Sequence, residues 1–240
     1  WLGGAALAGG WWLLSRQRGP VQPKLPQSLE GWHARCERVL DQLEQLAPEL
    51  GAIETPVEPR RAELKTLRGA ERDRPLELAF VSSHPPAAEQ QPAFQSALRG
   101  GLPLRLHWGQ PLPARSADWS WGTSFEASDL LLFHLRAPLR ASDLRWLEAL
   151  PAGQPLWLLL EDPAVRDGAP HALVDELCSL WPSAAPERVL GWSGQPEHLG
   201  TSLAPLTSWL ARDGGGLPRR TTKRRLESLH GRWQAELEVL

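Results

Sequence analysis

The stretch Gly191 to Gln195 (GWSGQ) approaches the spacing of a nucleophile elbow, G-x-S-x-G, which holds a serine on a sharp strand-to-helix turn. The second glycine comes one residue early, so the turn lacks its last small residue. A hydrolase also needs a histidine and a carboxylate, and His198, His230 and Asp213 are available at no fixed spacing. A serine hydrolase centred on Ser193 is therefore only a minor alternative.

Side chains that can bind a metal ion occur in pairs. His33 and Cys36 share one helical face, as do His171 and Asp175, but a zinc site needs three or four ligands. Solvated or helix-capping roles fit these pairs better. The sequence therefore predicts no metal site.

Two adjacent carboxylates, Glu161 and Asp162, follow a predicted strand at its carboxyl end, where α/β sheets bind their ligands. Adjacent residues in a turn usually point apart, so we assign this pair no catalytic role. The sequence thus predicts no catalytic residue and no cofactor.

Tryptophan supplies most of the aromatic surface, with 13 residues against four phenylalanines and no tyrosine. Trp119 and Trp121 alternate in a polar loop, where one or both can serve as an interaction anchor. Packing in a core or hairpin is the alternative. Five others lie in apolar helix or strand patterns and are expected in the core: Trp146, Trp157, Trp181, Trp192 and Trp209.

A basic cluster, RRTTKRR, contains Arg219, Arg220, Arg224 and Arg225. It either contacts anionic lipid, at roughly 1 kcal/mol per basic residue near the surface, or is a solvated helix start. Elsewhere the basic residues are scattered and the net charge is −2, so no broad basic face exists. Nucleic acid is not an expected partner.

Short apolar runs alternate with helix-like stretches, which is typical of a parallel sheet with crossover helices. The sequence predicts an α/β fold with a doubly wound, mostly parallel sheet. The predicted strands are Leu76–Ser82, Leu130–Leu135, Leu156–Leu160 and Val189–Trp192, with an edge hairpin formed by Leu102–Trp108 and residues near Trp119. The predicted helices are Pro92–Leu98, Ser142–Leu150, His171–Trp181 and Thr201–Leu210.

Amphipathic helices flank the predicted sheet at both ends. A stripe from Leu29 to Leu50 follows spacings of three and four, and pairs either with Arg61–Arg68 in a helical hairpin or with a second chain as a dimer seam. A second stripe runs from Leu226 to Leu240 and is expected to pack on the first. Gly214 to Gly216, with Pro218, predict a hinge before it.

The apolar run 1–14 (WLGGAALAGGWWLL) carries no charge and precedes Arg16 and Arg18. If a few more residues bring it to the ~20 that cross a bilayer, it predicts a membrane anchor with the rest of the chain in the cytoplasm. The alternative is an apolar N-terminal helix packed on the domain. The missing methionine leads us to expect a longer natural chain. The predicted divisions are 1–15 anchor, 16–27 Pro-rich spacer, 28–72 helical segment, 73–213 α/β domain and 214–240 hinge and exit helix.

The element order over residues ~75–212 resembles that of the Era/TrmE-like P-loop GTPases, whose phosphate loop reads G-x-x-x-x-G-K-[ST]. In this chain Ser83 and Ala88 stand at the two glycine positions, Glu89 at the lysine position and Gln90 at the Ser/Thr position. Two prolines in between remove N–H donors. The resemblance thus implies the fold of a GTPase with a degenerate phosphate site.

The other GTPase motifs are also altered. Asp118 and Gly122 are one residue too far apart for the Asp-x-x-Gly turn, and Leu160 to Pro163 (LEDP) replaces the guanine-selecting Asn-Lys-x-Asp run. Ser193-Gly194 alone matches the final base-contacting loop. Because the phosphate, metal and base positions are lost together, the sequence predicts a pseudo-GTPase.

The arrangement around this domain is similar to that of YcjF-type membrane proteins of unknown function from cyanobacteria. Leu25 to Trp32 (LPQSLEGW) and the exit helix Arg225 to Leu240 carry this resemblance, which implies further membrane helices after the exit helix. The expected function is a membrane-anchored scaffold that binds a protein partner or itself. The alternative is a divergent nucleotide-binding protein that uses Ser82, Ser83 and helix amides as a replacement anion site.

Overall fold

The computed structural model describes residues 25–50, 57–69, 74–99, 102–109, 112, 125, 127–150, 153–165 and 171–239. Within these ranges the chain forms an α/β unit with a parallel sheet, and a helical layer built from both ends of the chain. Trp119 and Trp121, the predicted anchor and most of the spacer lie outside the described residues. No helix within the described ranges is long and apolar enough to cross a membrane.

The sheet has five strands in the order β2-β1-β3-β4-β5, and every described pair is parallel. Its strands are rich in Leu, Val and Phe because helices cover both faces. The four buried strands predicted from the sequence are confirmed to within one residue. The strands are β1 (Leu76–Ser82), β2 (Leu104–Trp108), β3 (Leu130–Arg136), β4 (Leu156–Glu161) and β5 (Val189–Trp192).

Strand β2 lies at the edge of the sheet, as its alternating pattern indicates, and runs parallel to β1 from the Leu76–Leu104 pair to the Phe80–Trp108 pair. The alternation therefore reflects the partial exposure of an edge strand, not antiparallel pairing with its sheet neighbour. The predicted hairpin partner near Trp119 lies outside the described residues.

Seven helices are described, and the four predicted between the strands are confirmed with small shifts at their ends. Short 3₁₀ turns occupy 186–188, 196–198 and 214–216. The helices are α1 (Leu29–Leu50), α2 (Val57–Gly69), α3 (Gln91–Leu98), α4 (Ala141–Glu148), α5 (His171–Leu180), α6 (Leu199–Asp213) and α7 (Leu217–Val239).

The two faces of the sheet form separate apolar cores, because successive strand residues point in opposite directions. Phe80 and Leu132 belong to the core under α3 and α6, whereas Val81 and Phe133 belong to the core under α4 and α5. Helices therefore lie on both faces, which confirms the doubly wound α/β arrangement.

Helices α1, α2 and α7 pack together around a third core. Its members include Trp32 and Cys36 of α1, Leu64 of α2, and Leu226 and Trp233 of α7. The apolar stripe of α1 is thus covered within one chain from Leu29 to Leu43, and the predicted packing of the two terminal helices is confirmed.

The glycines predicted as a hinge form the 3₁₀ turn between α6 and α7. Gly214 is buried there: a Cβ on it would lie 2.9 Å from Leu102 Cδ1 and 3.2 Å from Leu76 Cδ1. Leu217, the first residue of α7, is fully buried in the core of the sheet. The turn therefore joins the helical layer closely to the α/β unit.

Candidate functional site

The candidate site lies at the carboxyl edge of the sheet, next to the point where the strand order reverses. The chain leaves β1 for β2 on one side and returns to β3 on the other, so the connections from these neighbouring strands diverge. Doubly wound folds bind their ligands in the crevice that this divergence opens. Ser82 at the end of β1 pairs in register with His134 of β3 at this edge.

Three polar side chains from neighbouring strands form a line across this edge. Ser82 Oγ lies 3.0 Å from His134 Nδ1, and His134 Nε2 lies 3.0 Å from Glu161 Oε2 at the end of β4. Ser82 and His134 are 3% and 2% exposed. The Ser82–His134 contact is a hydrogen bond in which the tautomer of the ring sets the donor, and the His134–Glu161 contact is a close approach of a ring nitrogen to a carboxylate oxygen.

The surroundings of Glu161 favour its charged form. Burial alone would raise its pKa, but the contact with His134 and the nearby side chains of Arg136 and His84 outweigh that effect, so the pKa of Glu161 lies below its ordinary value. Arg136 Nε lies 3.5 Å from Glu161 Oε1. The line of three residues therefore ends in a carboxylate that stays ionised at neutral pH.

A serine, a histidine and a carboxylate in this order can activate a hydroxyl for nucleophilic attack. A nucleophile must also be accessible to its substrate, and Ser82 is buried. In addition to its contact with His134, Ser82 Oγ accepts a hydrogen bond from the backbone N–H of His84 at 2.9 Å. The hydroxyl is thus held on two sides by the protein. This geometry suits a structural network that closes the crevice.

The backbone amides at the start of α3 donate hydrogen bonds to carbonyl oxygens of the turn that follows β1. Gln90 N–H donates to Ala87 O at 2.8 Å, and Gln91 N–H donates to Ala88 O at 3.3 Å. Ala93 N–H donates to Gln90 O at 3.0 Å, and the intervening Pro92 has no N–H. In a P-loop the phosphates are held by the amides of the loop itself, and the stretch compared with it here is Ser83 to Gln90. Within that stretch the N–H groups of Gln90 and His84 are bonded inside the turn, and the two prolines have no N–H.

The degenerate phosphate-loop positions do not converge on a ligand. Ala88 and Glu89 are exposed, and Gln90 is half-buried at the end of the turn. Ser83 Oγ donates to Asp143 Oδ1 of α4 at 3.3 Å. The replacement side chains thus bring no positive charge to the crevice.

The second predicted serine lies on the far side of the same edge. Ser193 Oγ is 2.9 Å from His198 Nδ1, and Ser193 is only 3% exposed. Asp213 bonds to Arg212, and His230 lies on α7 beside Arg35, so neither joins this pair. The structure therefore brings together two of the four residues considered for a hydrolase.

The adjacent carboxylates do point apart, as expected from the sequence. Glu161 turns to His134, whereas Asp162 Oδ1 accepts from Ala164 N–H at 2.9 Å in a local turn. Gly194, which follows β5, has φ +82°, and a Cβ on it would lie 2.9 Å from Glu161 Oε1. Gly194 therefore shapes the space that the Glu161 carboxylate occupies.

The basic cluster at the start of α7 divides into two pairs. Arg219 and Arg220 are exposed, whereas Arg224 donates to Ser128 O at 3.1 Å and Arg225 lies 3.7 Å from Glu63. Only the first pair is presented to solvent in full. Within the described ranges no three His, Cys, Asp or Glu side chains are grouped as metal ligands.

Sequence reasoning missed His134, the central residue of the line. Its signal was a histidine near the end of an otherwise apolar strand, flanked by strands that end in Ser82 and Glu161. Polar residues at the carboxyl ends of parallel strands lie along the same edge of the sheet. Which strands are neighbours, however, cannot be read from their order in the chain.

The chain matches no protein-family model, no curated protein and no solved structure. The functional argument therefore rests on the geometry of the chain itself.

Proposed function

We propose that this chain is a membrane-anchored interaction or scaffolding module whose GTPase-like α/β domain neither binds nor hydrolyses nucleotide. One observation carries the proposal. In the stretch Ser83 to Gln90 that would have to cradle the phosphates, the amides of His84 and Gln90 are bonded within the turn, and Pro85 and Pro86 have no N–H.

The electrostatics of the same edge support this proposal. A bound nucleotide needs positive charge and free donors around its phosphates. The crevice instead presents the ionised carboxylate of Glu161, and Glu89 stands where a GTPase carries its lysine. Among the described residues, Arg136 is the guanidinium that contacts the line, and it is already paired with Glu161. A phosphate placed here would be repelled.

The GTPase-like part of the proposal rests on the order of strands and helices and on the altered motifs, while the sheet itself supports only the doubly wound class. The membrane part rests on the composition of residues 1–15, and the scaffolding part on the loss of the site. A protein partner or a second copy of the chain is the proposed occupant of its surface, with Trp119 and Trp121 as candidate anchors.

Calorimetric titration with GTP and Mg²⁺ tests the loss of nucleotide binding. We expect no binding tighter than ~100 µM, roughly −5.5 kcal/mol. Glu89→Lys, which restores the lysine, should not bind GTP either, because the amides remain occupied. Binding by the unaltered chain would overturn the proposal, and binding by Glu89→Lys alone would show that charge, rather than the bonded turn, excludes the nucleotide.

Flotation with phosphatidylcholine vesicles tests the anchor. The chain 1–240 should float with the vesicles, and removal of residues 1–15 should leave it at the bottom of the gradient, because the uncharged run is the proposed insertion segment. Flotation that survives this truncation would contradict the proposed anchor while leaving the nucleotide argument intact.

A second candidate function, a serine hydrolase, is favoured by the contacts that link Ser82, His134 and Glu161. A fluorophosphonate probe separates the possibilities. The scaffold proposal predicts no labelling, since both candidate serines are buried. Labelling lost in Ser82→Ala would support the line across β1, β3 and β4, and labelling lost in Ser193→Ala would support the Ser193–His198 pair.

A further inference from the structure

A cavity of about 260 Å³ lies between α1 and α7, on the helical layer and away from the carboxyl edge of the sheet. Among the described residues, basic and amide side chains supply its polar lining, and no carboxylate contributes. The residues that matter to the argument are Arg35, Arg38 and Gln42 of α1, His230 and Gln234 of α7, and Pro26 just before α1.

The two arginines of this cavity are not neutralised by the described part of the chain. Arg35 Nε donates to His230 Nε2 at 3.0 Å, and Arg38 Nε donates to the Ala34 carbonyl of its own helix at 3.3 Å. Neither has a carboxylate within 4.0 Å among the described residues, whereas Arg60 and Arg61 nearby are both ion-paired. Three residues apart on one helix, Arg35 and Arg38 also repel each other.

His230 is neutral, so the lining of the cavity carries the two positive charges of Arg35 and Arg38. Its Nε2 accepts from Arg35, so this nitrogen carries no proton and the ring is neutral. Burial first, and then Arg35 and Arg38, lower the pKa of His230. The neutral ring fixes the Arg35 guanidinium at one edge of the cavity and leaves its remaining N–H groups for another acceptor.

We propose that this cavity binds a phosphate monoester group, held by Arg35 and Arg38 with the amides of Gln42 and Gln234. A phosphate monoester carries about −1.5 to −2 charges at neutral pH, which matches the two guanidiniums. Planar guanidinium forks suit phosphate oxygens. The cavity is smaller than the ~300–1,000 Å³ typical of drug-sized ligands, so it fits a head group alone.

Gln234 is placed to add a donor beside the two guanidiniums. Its Nε2 donates only a long bond of 3.4 Å to Glu238, an exposed carboxylate that does not line the cavity. The inference concerns a different surface from the proposed loss of nucleotide binding, and holds whether or not that proposal does.

Titration with inorganic phosphate at constant ionic strength, read by calorimetry and by the unfolding temperature, tests this site. Phosphate should bind and raise the unfolding temperature relative to chloride. The double variant Arg35→Gln/Arg38→Gln should bind at least about tenfold more weakly. The matched control is Arg219→Gln/Arg220→Gln, which removes the same charge from exposed positions of α7 and should bind as the unaltered chain does.

Absence of phosphate binding overturns the proposal, and so does an equal loss in both double variants, because the effect would then be general charge. If the first double variant fails to fold, Arg38→Gln alone replaces it, since Arg38 is exposed and makes only a local bond. Retention of full binding by that single variant would equally count against the site.

Two further binding experiments distinguish a lipid head group from a soluble phosphate monoester. Vesicles with phosphatidic acid carry a monoester head group, while phosphatidylglycerol vesicles of equal surface charge carry a diester. A preference for the former that depends on Arg35 and Arg38 assigns a lipid. Phosphate and glycerol 3-phosphate binding without that preference assigns a soluble monoester. Either result supports the site.

Discussion

Gly194 sets the position of the carboxylate that closes the candidate site. Its φ of +82° is unfavourable for any side chain, and its missing Cβ leaves room for Glu161 Oε1. Gly153 has a similar φ of +78° with nothing within 4 Å of the same position. Alanine substitutions at the two glycines therefore distinguish the cost of the positive φ from the cost of displacing Glu161.

Gly194→Ala should destabilise the chain more than Gly153→Ala. We expect about 1–2 kcal/mol from the positive φ at either position, and about 1–3 kcal/mol more at Gly194 because the methyl group displaces Glu161. Urea unfolding of both variants measures the difference. Equal losses would mean that Glu161 moves aside freely and that the line of Ser82, His134 and Glu161 is not rigid.

His230 should make the stability of the helical layer depend on pH. Its pKa is lower in the folded chain than the ordinary 6.5, so the unfolded chain takes up a proton first as the pH falls. The stabilisation from neutral His230 is complete above pH 6.5 and is lost as the pH falls through the folded pKa.

His230→Gln should therefore flatten the stability profile below pH 6.5, measured by urea unfolding at a series of pH values. An unchanged slope in His230→Gln would contradict the placement of the neutral ring beside Arg35.

At the scale of elements, the 3₁₀ turn 214–216 joins two long helices through three glycines with different surroundings. Gly214 packs against Leu76 and Leu102, while Gly215 and Gly216 have nothing within 4 Å of an added Cβ. The turn is thus tight at its first residue and open at the next two.

Gly214→Ala should lower the free energy of unfolding by about 1–3 kcal/mol, because the methyl group overpacks the contact with Leu102. Gly215→Ala should instead raise it by about 0.4–1 kcal/mol by restricting the unfolded chain. Thermal unfolding of the pair tests this. A stabilising Gly214→Ala would show that α7 moves readily away from the sheet.

At the scale of the whole molecule, α7 connects two cores. Leu217 is buried with the sheet, and nine residues later Leu226 is buried with α1 and α2. Cys36 is a probe of the core formed by α1, α2 and α7. Its Sγ lies 3.5 Å from Leu226 O, and burial raises the pKa of its thiol to about 11. Cys178 on α5 is only half-buried and provides an internal reference.

Cys36 should react slowly with a thiol reagent, and only when the molecule unfolds as one unit. Leu226→Ala should cost about 2–5 kcal/mol and speed the labelling of Cys36 at least about tenfold. Leu206→Ala, in the core of the sheet, should speed it as well. Acceleration by Leu226→Ala alone would show that the helical layer opens independently of the sheet.

Much of the secondary structure was predictable because its signals are local. Apolar runs such as Leu76–Ser82 become strands, and the stripe that starts at Leu29 becomes a helix. The departure of Ser83 to Gln90 from the G-x-x-x-x-G-K-[ST] pattern was also visible, since Glu89 stands in the sequence itself. These predictions require only the spacing of residues within one element, which backbone geometry fixes.

The candidate sites were decided by tertiary structure. Ser82 and His134 are separated by 52 positions, and Arg35 and His230 by 195, so no local pattern joins them. The sheet order placed β3 between β1 and β4, and the packing of α1 on α7 brought His230 to Arg35. The sequence determined which helices and strands form and that Ser83 to Gln90 departs from the G-x-x-x-x-G-K-[ST] pattern. Only the fold decided that hydrogen bonds close the carboxyl edge of the sheet, while two arginines elsewhere have no carboxylate within 4.0 Å among the described residues. The reason is that contacts between distant residues depend on how whole elements pack.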